Sequence, residues 1–212
     1  MRLALLLALA LLLAACGGGD EPEPPAVAEG PCEEVEAPKA KPDGGQQQPV
    51  GTLDASKTYR LVVETSCGDF TIRLDQKSAP KTTASLVSLA ESGFYDGTTF
   101  HRVVPGFVIQ AGDPTGTGSG GPGYTTVDVP PVGTTYTIGT VAMAKAGFEK
   151  PGTSGSQFFV VTAPDAGLPP DYAVVGTVVE GMETVAAIES LGTGDGPPSR
   201  PVVIEKVTVE SS

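Results

Sequence analysis

The stretch FHRVVPGFVIQAGD, residues 100–113, carries the only histidine of the chain, an arginine beside it and a glutamine eight residues after the arginine. In an extended FVIQAG segment, Val108 and Gln110 point to the same face because side chains alternate along a strand. We expect Arg102 to lie across from them, beyond the VPG turn. Such a face can bind an apolar ring beside a fixed cationic donor, but it cannot move a proton because arginine stays protonated. A surface arginine hydrogen-bonded to the glutamine is the alternative.

Short strands and two helices are predicted around this stretch. YRLVVET and DFTIRLD, separated by SCG, have the alternation of a hairpin with Cys67 at its turn. APKTTASLVSLAESG predicts a helix with Pro80 in its first turn and an end at Gly93. A second helix is predicted at about 181–190. The other predicted strands are TTFHRVV, FVIQAG, TIGTVAMA, SQFFVVT, AVVGTVV and VVIEKVTVE. This order indicates a mainly β fold, a closed barrel or a sandwich with helical lids.

The N-terminus indicates export from the cytoplasm. Arg2 precedes the apolar run Leu3–Ala15, which is shorter than the ~20 residues of a membrane-spanning helix and is typical of a signal peptide. Its end, LAAC, resembles the bacterial lipobox, so we expect residues 1–16 to be a lipoprotein signal peptide and Cys16 to be lipidated, with palmitate among its acyl chains. Two or more acyl chains hold a protein stably on a membrane. The alternative is a secretory signal cut nearby, with Cys16 incidental.

Residues 17–54 are rich in Gly, Pro and acidic residues and show no apolar periodicity, which predicts a disordered acidic tether before a folded domain at 55–212. Without residues 1–16, which hold only one charged side chain, Arg2, 12 basic and 25 acidic side chains give a net charge of −13. This acidity favours solubility and argues against a nucleic-acid partner, because phosphate binding needs a basic face.

Two cysteines remain after lipidation of Cys16. In an oxidising compartment, we expect Cys32 and Cys67 to form a disulfide that joins the tether to the domain. Two free thiols are the alternative. A metal site is disfavoured because two cysteines and one distant histidine lack ligand spacing. We expect no metal and no cofactor.

The sequence argues against two enzyme classes, the dinucleotide-binding enzymes and the hydrolases. GTGSGG fits a dinucleotide-binding pattern, but the PGYTTVDVPP that follows cannot open a helix, so a flexible glycine loop is the better interpretation. A hydrolase is disfavoured because His101 is the only imidazole base and no serine stands in a G-x-S-x-G motif.

Three motifs in register carry a family resemblance: FHRVVPGFVIQAGDPTGTGSGG, GTVAMAKAG and GTSGSQFFVVTA. They resemble the cyclophilin family of peptidyl-prolyl isomerases, and the resemblance covers about residues 58–209. It implies an eight-stranded antiparallel β-barrel capped by two α-helices, which agrees with the predicted order of elements.

The resemblance also implies roles for individual residues. Arg102 would be catalytic, with Gln110 beside it as the second catalytic residue, and His101 would have a supporting role. The substrate-binding residues it implies are Phe107, Val108, Phe159, Leu168 and Tyr172 around the proline, Ala144, Lys145 and Ala146 in the groove for the preceding residues, and Gln157 against the peptide backbone.

Three positions depart from the best-known eukaryotic members. Gly167 stands where an aromatic residue, often Trp, is usual, which argues against tight binding of the cyclic peptide cyclosporin. Tyr172 stands where His is usual and keeps a ring with a polar tip. Lys145 stands where Asn is usual, and its charge would favour acidic residues before the proline.

The sequence therefore predicts a lipid-anchored, extracytoplasmic peptidyl-prolyl cis–trans isomerase that assists protein folding. Its expected partners are proline-containing peptides or unfolded proteins and, through Cys16, the lipid bilayer, and the expected state is a monomer. A non-catalytic chaperone or scaffold lipoprotein that binds proline peptides is the alternative. A structural envelope lipoprotein with a vestigial groove is a weaker one.

Overall fold

The computed structural model describes residues 32–212. The predicted signal peptide, the lipidation of Cys16 and the first part of the predicted tether lie outside the described residues.

The described chain contains eleven strands and two helices, and the strands hold more residues than the helices. The strands are β1 Tyr59–Thr65, β2 Gly68–Leu74, β3 Thr98–Thr99, β4 Arg102–Val104, β5 Val108–Ala111, β6 Thr126–Val127, β7 Thr140–Met143, β8 Thr153–Ser154, β9 Phe158–Val161, β10 Val174–Glu180 and β11 Val203–Ser211. The helices are α1 Pro80–Glu91 and α2 Met182–Glu189.

Nine of these strands form one antiparallel sheet in the order β3-β11-β1-β2-β10-β7-β9-β5-β4, and β6 pairs separately with β8. The two edge strands, β3 and β4, are joined by only Phe100 and His101, so the sheet must curl until its edges come close together. The predicted TTFHRVV strand is divided here, and β3 and β4 together take the place of one barrel strand. The prediction of a mainly β, cyclophilin-like antiparallel barrel with two helices is confirmed.

Both helices begin where local sequence favours it. Helix α1 has Pro80 at its first position, where a missing N–H costs no hydrogen bond. Helix α2 follows Gly181, whose φ of 79° is left-handed. A Cβ at Gly181 would lie 2.2 Å from the carbonyl oxygen of Asp69, so only glycine fits. The helices close the curled sheet over a core that includes Phe70, Leu89 and Ile188, each almost fully buried.

The segment before β1 differs from the predicted disordered tether. From Cys32 onward it has no helix or strand, yet it runs along the domain surface and is attached to it. Cys32 forms a disulfide with Cys67 at the β1–β2 turn, and Lys41 hydrogen-bonds to the chain after α1. Composition missed this because covalent and backbone attachments need no apolar periodicity. None of the helices in residues 32–212 is long and apolar enough to span a bilayer.

Candidate active site

Strands β4 and β5 place the two residues that are predicted to be catalytic opposite each other. The register of this hairpin pairs Arg102 with Gln110, so their side chains lie on one face of the sheet. Arg102 Nη1 donates a hydrogen bond of 3.2 Å to Gln110 Oε1. This is the arrangement that alternation along FVIQAG predicts. The guanidinium carbon also lies 5.7 Å from the centre of the Phe107 ring, within range of a cation–π contact.

The guanidinium is held at the end of a chain of side-chain hydrogen bonds. Gln110 Nε2 donates to Gln157 Oε1 at 3.0 Å, and Gln157 Nε2 donates to the carbonyl of Gly120 at 2.9 Å. On its other side, Arg102 Nε donates to Asp195 Oδ1 at 2.6 Å. The hydrogen bond from Arg102 and then its charge hold the pKa of Asp195 below its usual range, so this carboxylate stays ionised and accepts from the arginine.

A cluster of apolar side chains, called the apolar pocket below, lies next to the guanidinium. Its members come from a small hydrophobic cluster separate from the main core, which includes the predicted proline-binding residues Phe107, Val108, Phe159, Leu168 and Tyr172 together with Ala144. Phe159 and Val108 are 4% and 2% exposed, so they form the floor, whereas Phe107, Leu168 and Tyr172 are only half-buried. A half-buried apolar surface is suited to binding an apolar ring.

Tyr172 is fixed in this pocket from two sides. Its ring packs edge-on against Phe159, with the ring centres 5.6 Å apart. The hydroxyl of the fully buried Tyr136 donates to the Tyr172 carbonyl at 2.8 Å and accepts from the Tyr172 N–H at 3.1 Å. Burial raises the pKa of Tyr136, so its hydroxyl remains a donor. Tyr172 therefore keeps the pocket wall that its position implies.

A polar cleft of about 670 Å³ continues from the apolar pocket. Its walls include the predicted groove residues Ala144, Lys145 and Ala146, the glutamines 110 and 157, and the glycine-rich segment 118–123. Lys145 Nζ donates to the Glu149 carbonyl at 3.1 Å and lies 5.4 Å from the centre of the Tyr172 ring. The lysine charge is thus partly engaged within the protein, between the cleft and the apolar pocket.

His101 and Gly167 take no part in the hydrogen bonds that hold Arg102. Both ring nitrogens of His101 are buried without a hydrogen-bond partner among residues 32–212, and burial lowers the pKa of His101, which favours the neutral ring. Gly167 is exposed, and a Cβ there would meet open space. No side chain therefore covers this side of the apolar pocket from position 167.

Two further groups at the site are not apparent from the sequence motifs. Asp195 lies 93 residues from Arg102 in a Gly/Pro-rich loop, and only the closing of the sheet brings them together. Asp113 is fully buried and accepts four hydrogen bonds from the loop that follows it. Burial acts to raise the pKa of Asp113, but the hydrogen bonds from Thr115, Gly120 and Gly118 outweigh it and keep the pKa low. Its position directly after the FVIQAG strand was the only signal.

The predicted site residues thus lie together, apart from Cys16, which lies outside the described residues, and the distant disulfide. Within residues 32–212, no group of three or more His, Cys, Asp or Glu side chains is arranged to bind a metal ion.

Comparison with known proteins agrees with this geometry. A model of the family described as cyclophilin type peptidyl-prolyl cis-trans isomerase/CLD matches residues 60–209. The probable peptidyl-prolyl cis-trans isomerase A of Mycobacterium bovis is 42% identical over 171 residues, covering 72% of this chain and 92% of that protein. Peptidyl-prolyl cis-trans isomerase B of Streptomyces anulatus is 42% identical over 170 residues, covering 70% of this chain and 95% of that protein.

Solved structures give the same result. A crystal structure of a cyclophilin type peptidyl-prolyl cis-trans isomerase from Cryptosporidium parvum has 32% sequence identity and a TM-score of 0.67, covering 73% of this chain and 99% of that one. A crystal structure of that protein in the presence of the dipeptide Ala-Pro has a TM-score of 0.65, with 31% identity and coverage of 72% and 99%. The chain belongs to the cyclophilin-type peptidyl-prolyl cis–trans isomerase family.

Proposed function

We propose that this chain isomerises X-Pro peptide bonds of proteins that fold outside the cytoplasm, while an acylated Cys16 holds it on the membrane. The observation that carries the catalytic part is the guanidinium of Arg102, fixed by Gln110 and Asp195 beside the Phe107 ring of an apolar pocket. No cofactor takes part in this proposal, and the active unit is a monomer.

Isomerisation of an X-Pro bond needs electrostatic stabilisation of the transition state, and no bond is broken. Resonance gives the peptide C–N bond a rotational barrier of about 18–20 kcal/mol, and an X-Pro bond isomerises unaided in tens to hundreds of seconds. In the twisted transition state, the proline nitrogen regains its lone pair. A guanidinium N–H directed at this nitrogen stabilises the transition state more than either planar form, which is the condition for catalysis.

The neighbouring residues supply position and a dry environment. The apolar pocket formed with Phe159 and Tyr172 would take the pyrrolidine ring, and the polar cleft lined by Gln157 would take the backbone of the preceding residues. Because water is displaced from the pocket, the hydrogen bond from Arg102 acts in a medium of lower dielectric constant and is stronger. Each ~1.4 kcal/mol of preferential stabilisation raises the rate tenfold.

Sequence and structure support the extracytoplasmic setting from different sides. The apolar run Leu3–Ala15 and the LAAC end have the form of a lipoprotein signal. The disulfide between Cys32 and Cys67 is of the kind that persists in oxidising compartments outside the cytoplasm. We test this part with radiolabelled palmitate and cell fractionation. The wild-type chain should carry label in the membrane fraction and Cys16→Ser should not. An unlabelled wild-type chain would refute the anchor.

The activity is tested with a proline-containing tetrapeptide and the full chain in a mild detergent. We expect the cis–trans exchange rate, measured by NMR line shapes or magnetisation transfer, to rise well above the uncatalysed rate at micromolar enzyme. A folded chain that leaves the exchange rate unchanged would refute the isomerase.

One observation favours a second function, a holding chaperone or scaffold for proline-containing segments. Position 167 supplies no side chain at the rim of the apolar pocket, so the pocket has one wall fewer. In that case, the chain would bind the peptide, as judged by chemical-shift changes at the pocket, without changing its exchange rate.

A further inference from the structure

We propose that the segment before the domain is a working part of the active site. The N-terminal arm, residues 32–46, positions the glycine loop, residues 114–123, and through it the hydrogen-bond chain that ends on Arg102, with Asp43 as the positioning residue at the contact. The arm lies outside the region that matches the family, which begins at residue 60. The inference rests on the isomerase activity proposed above.

The arm is attached to the domain at its beginning. Cys32 is 4% exposed and disulfide-bonded to Cys67. The N–H of Glu33 donates to the Ser66 carbonyl at 2.6 Å, and Arg200 Nη2 donates to the Cys32 carbonyl at 2.9 Å. The start of the arm is therefore fixed against the β1–β2 turn.

A lysine attaches the middle of the arm. The ammonium of Lys41 donates to three carbonyls just after helix α1, those of Gly93, Phe94 and Asp96, at 3.0, 2.7 and 2.9 Å. Three converging carbonyls suit the three donors of an ammonium group. The backbone N–H of Lys41 also donates to the Pro114 carbonyl at 2.8 Å, at the first residue of the glycine loop.

The arm then holds the far end of the glycine loop at Gly121. Asp43 Oδ1 accepts from the N–H of Gly121 at 2.8 Å, and the N–H of Gly44 donates to the Gly121 carbonyl at 2.9 Å. The N–H of Gln46 donates to the Pro122 carbonyl at 3.0 Å. The two backbones approach so closely that a Cβ at Gly123 would lie 3.0 Å from the Cα of Gly44. Both polar groups of Gly121 are thus bonded to the arm.

This support matters because of what the glycine loop contains. Between Thr115 and Gly121, the loop has glycine at 116, 118 and 120, so it has few side chains to hold it and high backbone freedom. Asp113 fixes this loop from inside, at the N–H groups of Thr115, Gly118 and Gly120. The next peptide group, between Gly120 and Gly121, is held by Asp43 of the arm. The carbonyl of Gly120, next to Gly121, accepts the hydrogen bond from Gln157 that begins the chain leading to Arg102.

Loosening the arm should therefore weaken the hydrogen bonds that hold the guanidinium in place. If Gly121 is released, the Gly120 carbonyl moves, Gln157 loses its fixed acceptor and Gln110 is held less firmly under Arg102. Since Arg102 acts in the transition state, the loss should appear in kcat. Because Asp43 and Gln157 also line the cleft, a rise in KM should accompany it. We expect Asp43→Ala to lower kcat/KM about threefold, and Asp43→Ala with Lys41→Met to lower it about tenfold.

The experiment compares five variants of the full chain in detergent, using the tetrapeptide exchange assay, and one of them is the double variant Asp43→Ala with Lys41→Met. Asp43→Ala removes the acceptor, and Asp43→Asn keeps the Oδ1 acceptor without the charge. Gln47→Ala changes an exposed residue just beyond the arm that makes no hydrogen bond to the domain. Arg102→Ala in the same assay shows whether the underlying isomerase activity is present. The ¹H–¹⁵N signal of the Gln157 side-chain amide is recorded for each variant as a direct report on the Gly120 contact.

We expect Asp43→Ala to lower kcat and shift the Gln157 amide signal, Asp43→Asn to restore both, and Gln47→Ala to change neither. An Asp43→Ala chain that is less stable to urea but has unchanged kcat and an unchanged Gln157 signal would overturn the proposal. Equal losses in Asp43→Ala and Asp43→Asn would also overturn it, because the charge and not the hydrogen bond would then be responsible. Failure of the wild-type chain to catalyse exchange would instead refute the proposed function.

Discussion

The side chain of Gln110 offers the most informative single perturbation of the site. It accepts from Arg102 Nη1 at 3.2 Å and donates to Gln157 Oε1 at 3.0 Å, so Gln110→Ala removes both bonds at once. The bond from Arg102 to Asp195 is left in place, as is the backbone pairing of β4 with β5. The guanidinium should remain at the site with one of its two side-chain partners missing.

The expected loss follows from these contacts. A hydrogen bond to a charged group contributes about 1.5–3 kcal/mol when buried. Because the Arg102 side chain is 29% exposed, water replaces part of the lost bond, and the lower end of this range applies. A loss of about 1.5 kcal/mol in the transition state corresponds to roughly a tenfold decrease in kcat/KM. The loss should be mostly in kcat, since the apolar pocket for the proline ring is unchanged.

We would measure kcat and KM for cis–trans exchange of the tetrapeptide by NMR, with circular dichroism to verify the fold. Gln48→Ala, at an exposed position beyond the arm, is the matched control and should behave as wild type. A folded Gln110→Ala chain within twofold of the wild-type kcat/KM would refute the idea that Gln110 holds the guanidinium.

Three further predictions concern stability. The pKa of Asp113 is lower in the folded chain than its unfolded value of 3.8, so the ionised carboxylate stabilises the fold above that value and this stabilisation is lost as the pH falls through the lower folded pKa. The free energy of unfolding should therefore drop on acidification below about pH 4. Urea unfolding at several pH values should show that Asp113→Asn weakens this dependence. Cys67→Ser opens a covalent link across 35 residues and should lower the free energy of unfolding by about 3 kcal/mol, whereas an unchanged value would show that the disulfide adds no stability. Tyr136→Phe leaves the backbone N–H and carbonyl of Tyr172 without their partner, so it should lower the free energy of unfolding by about 1–3 kcal/mol and raise KM. Unchanged stability together with an unchanged KM would contradict the role assigned to this hydroxyl.

The elements that follow from local sequence were predictable. Pro80 and Gly93 bracket helix α1, which the structure places at Pro80–Glu91, and alternation in YRLVVET gives β1 at Tyr59–Thr65. The Arg102–Gln110 contact was also predictable, because both residues belong to one hairpin, whose alternation and turn fix which side chains share a face.

What the sequence could not supply depends on contacts between distant segments. Strands β6 and β8 have two residues each, too few to show alternation, and their pairing joins Thr126 to Ser154 and Val127 to Thr153, far apart in the chain. Asp195 meets Arg102 only because the sheet closes. The sequence predicts a tether here because it shows no apolar periodicity, whereas Lys41 and Asp43 attach the arm through polar groups that have no periodic signature.

The catalytic role of Arg102 is tested most directly by comparing Arg102→Ala with the wild-type chain, measuring both turnover and binding of the same tetrapeptide. If Arg102 donates to the proline nitrogen in the transition state, the exchange rate should fall at least a hundredfold, while the dissociation constant from chemical-shift titration changes only a few-fold because the apolar pocket remains. An Arg102→Ala chain that is folded and catalyses exchange at the wild-type rate would contradict the account.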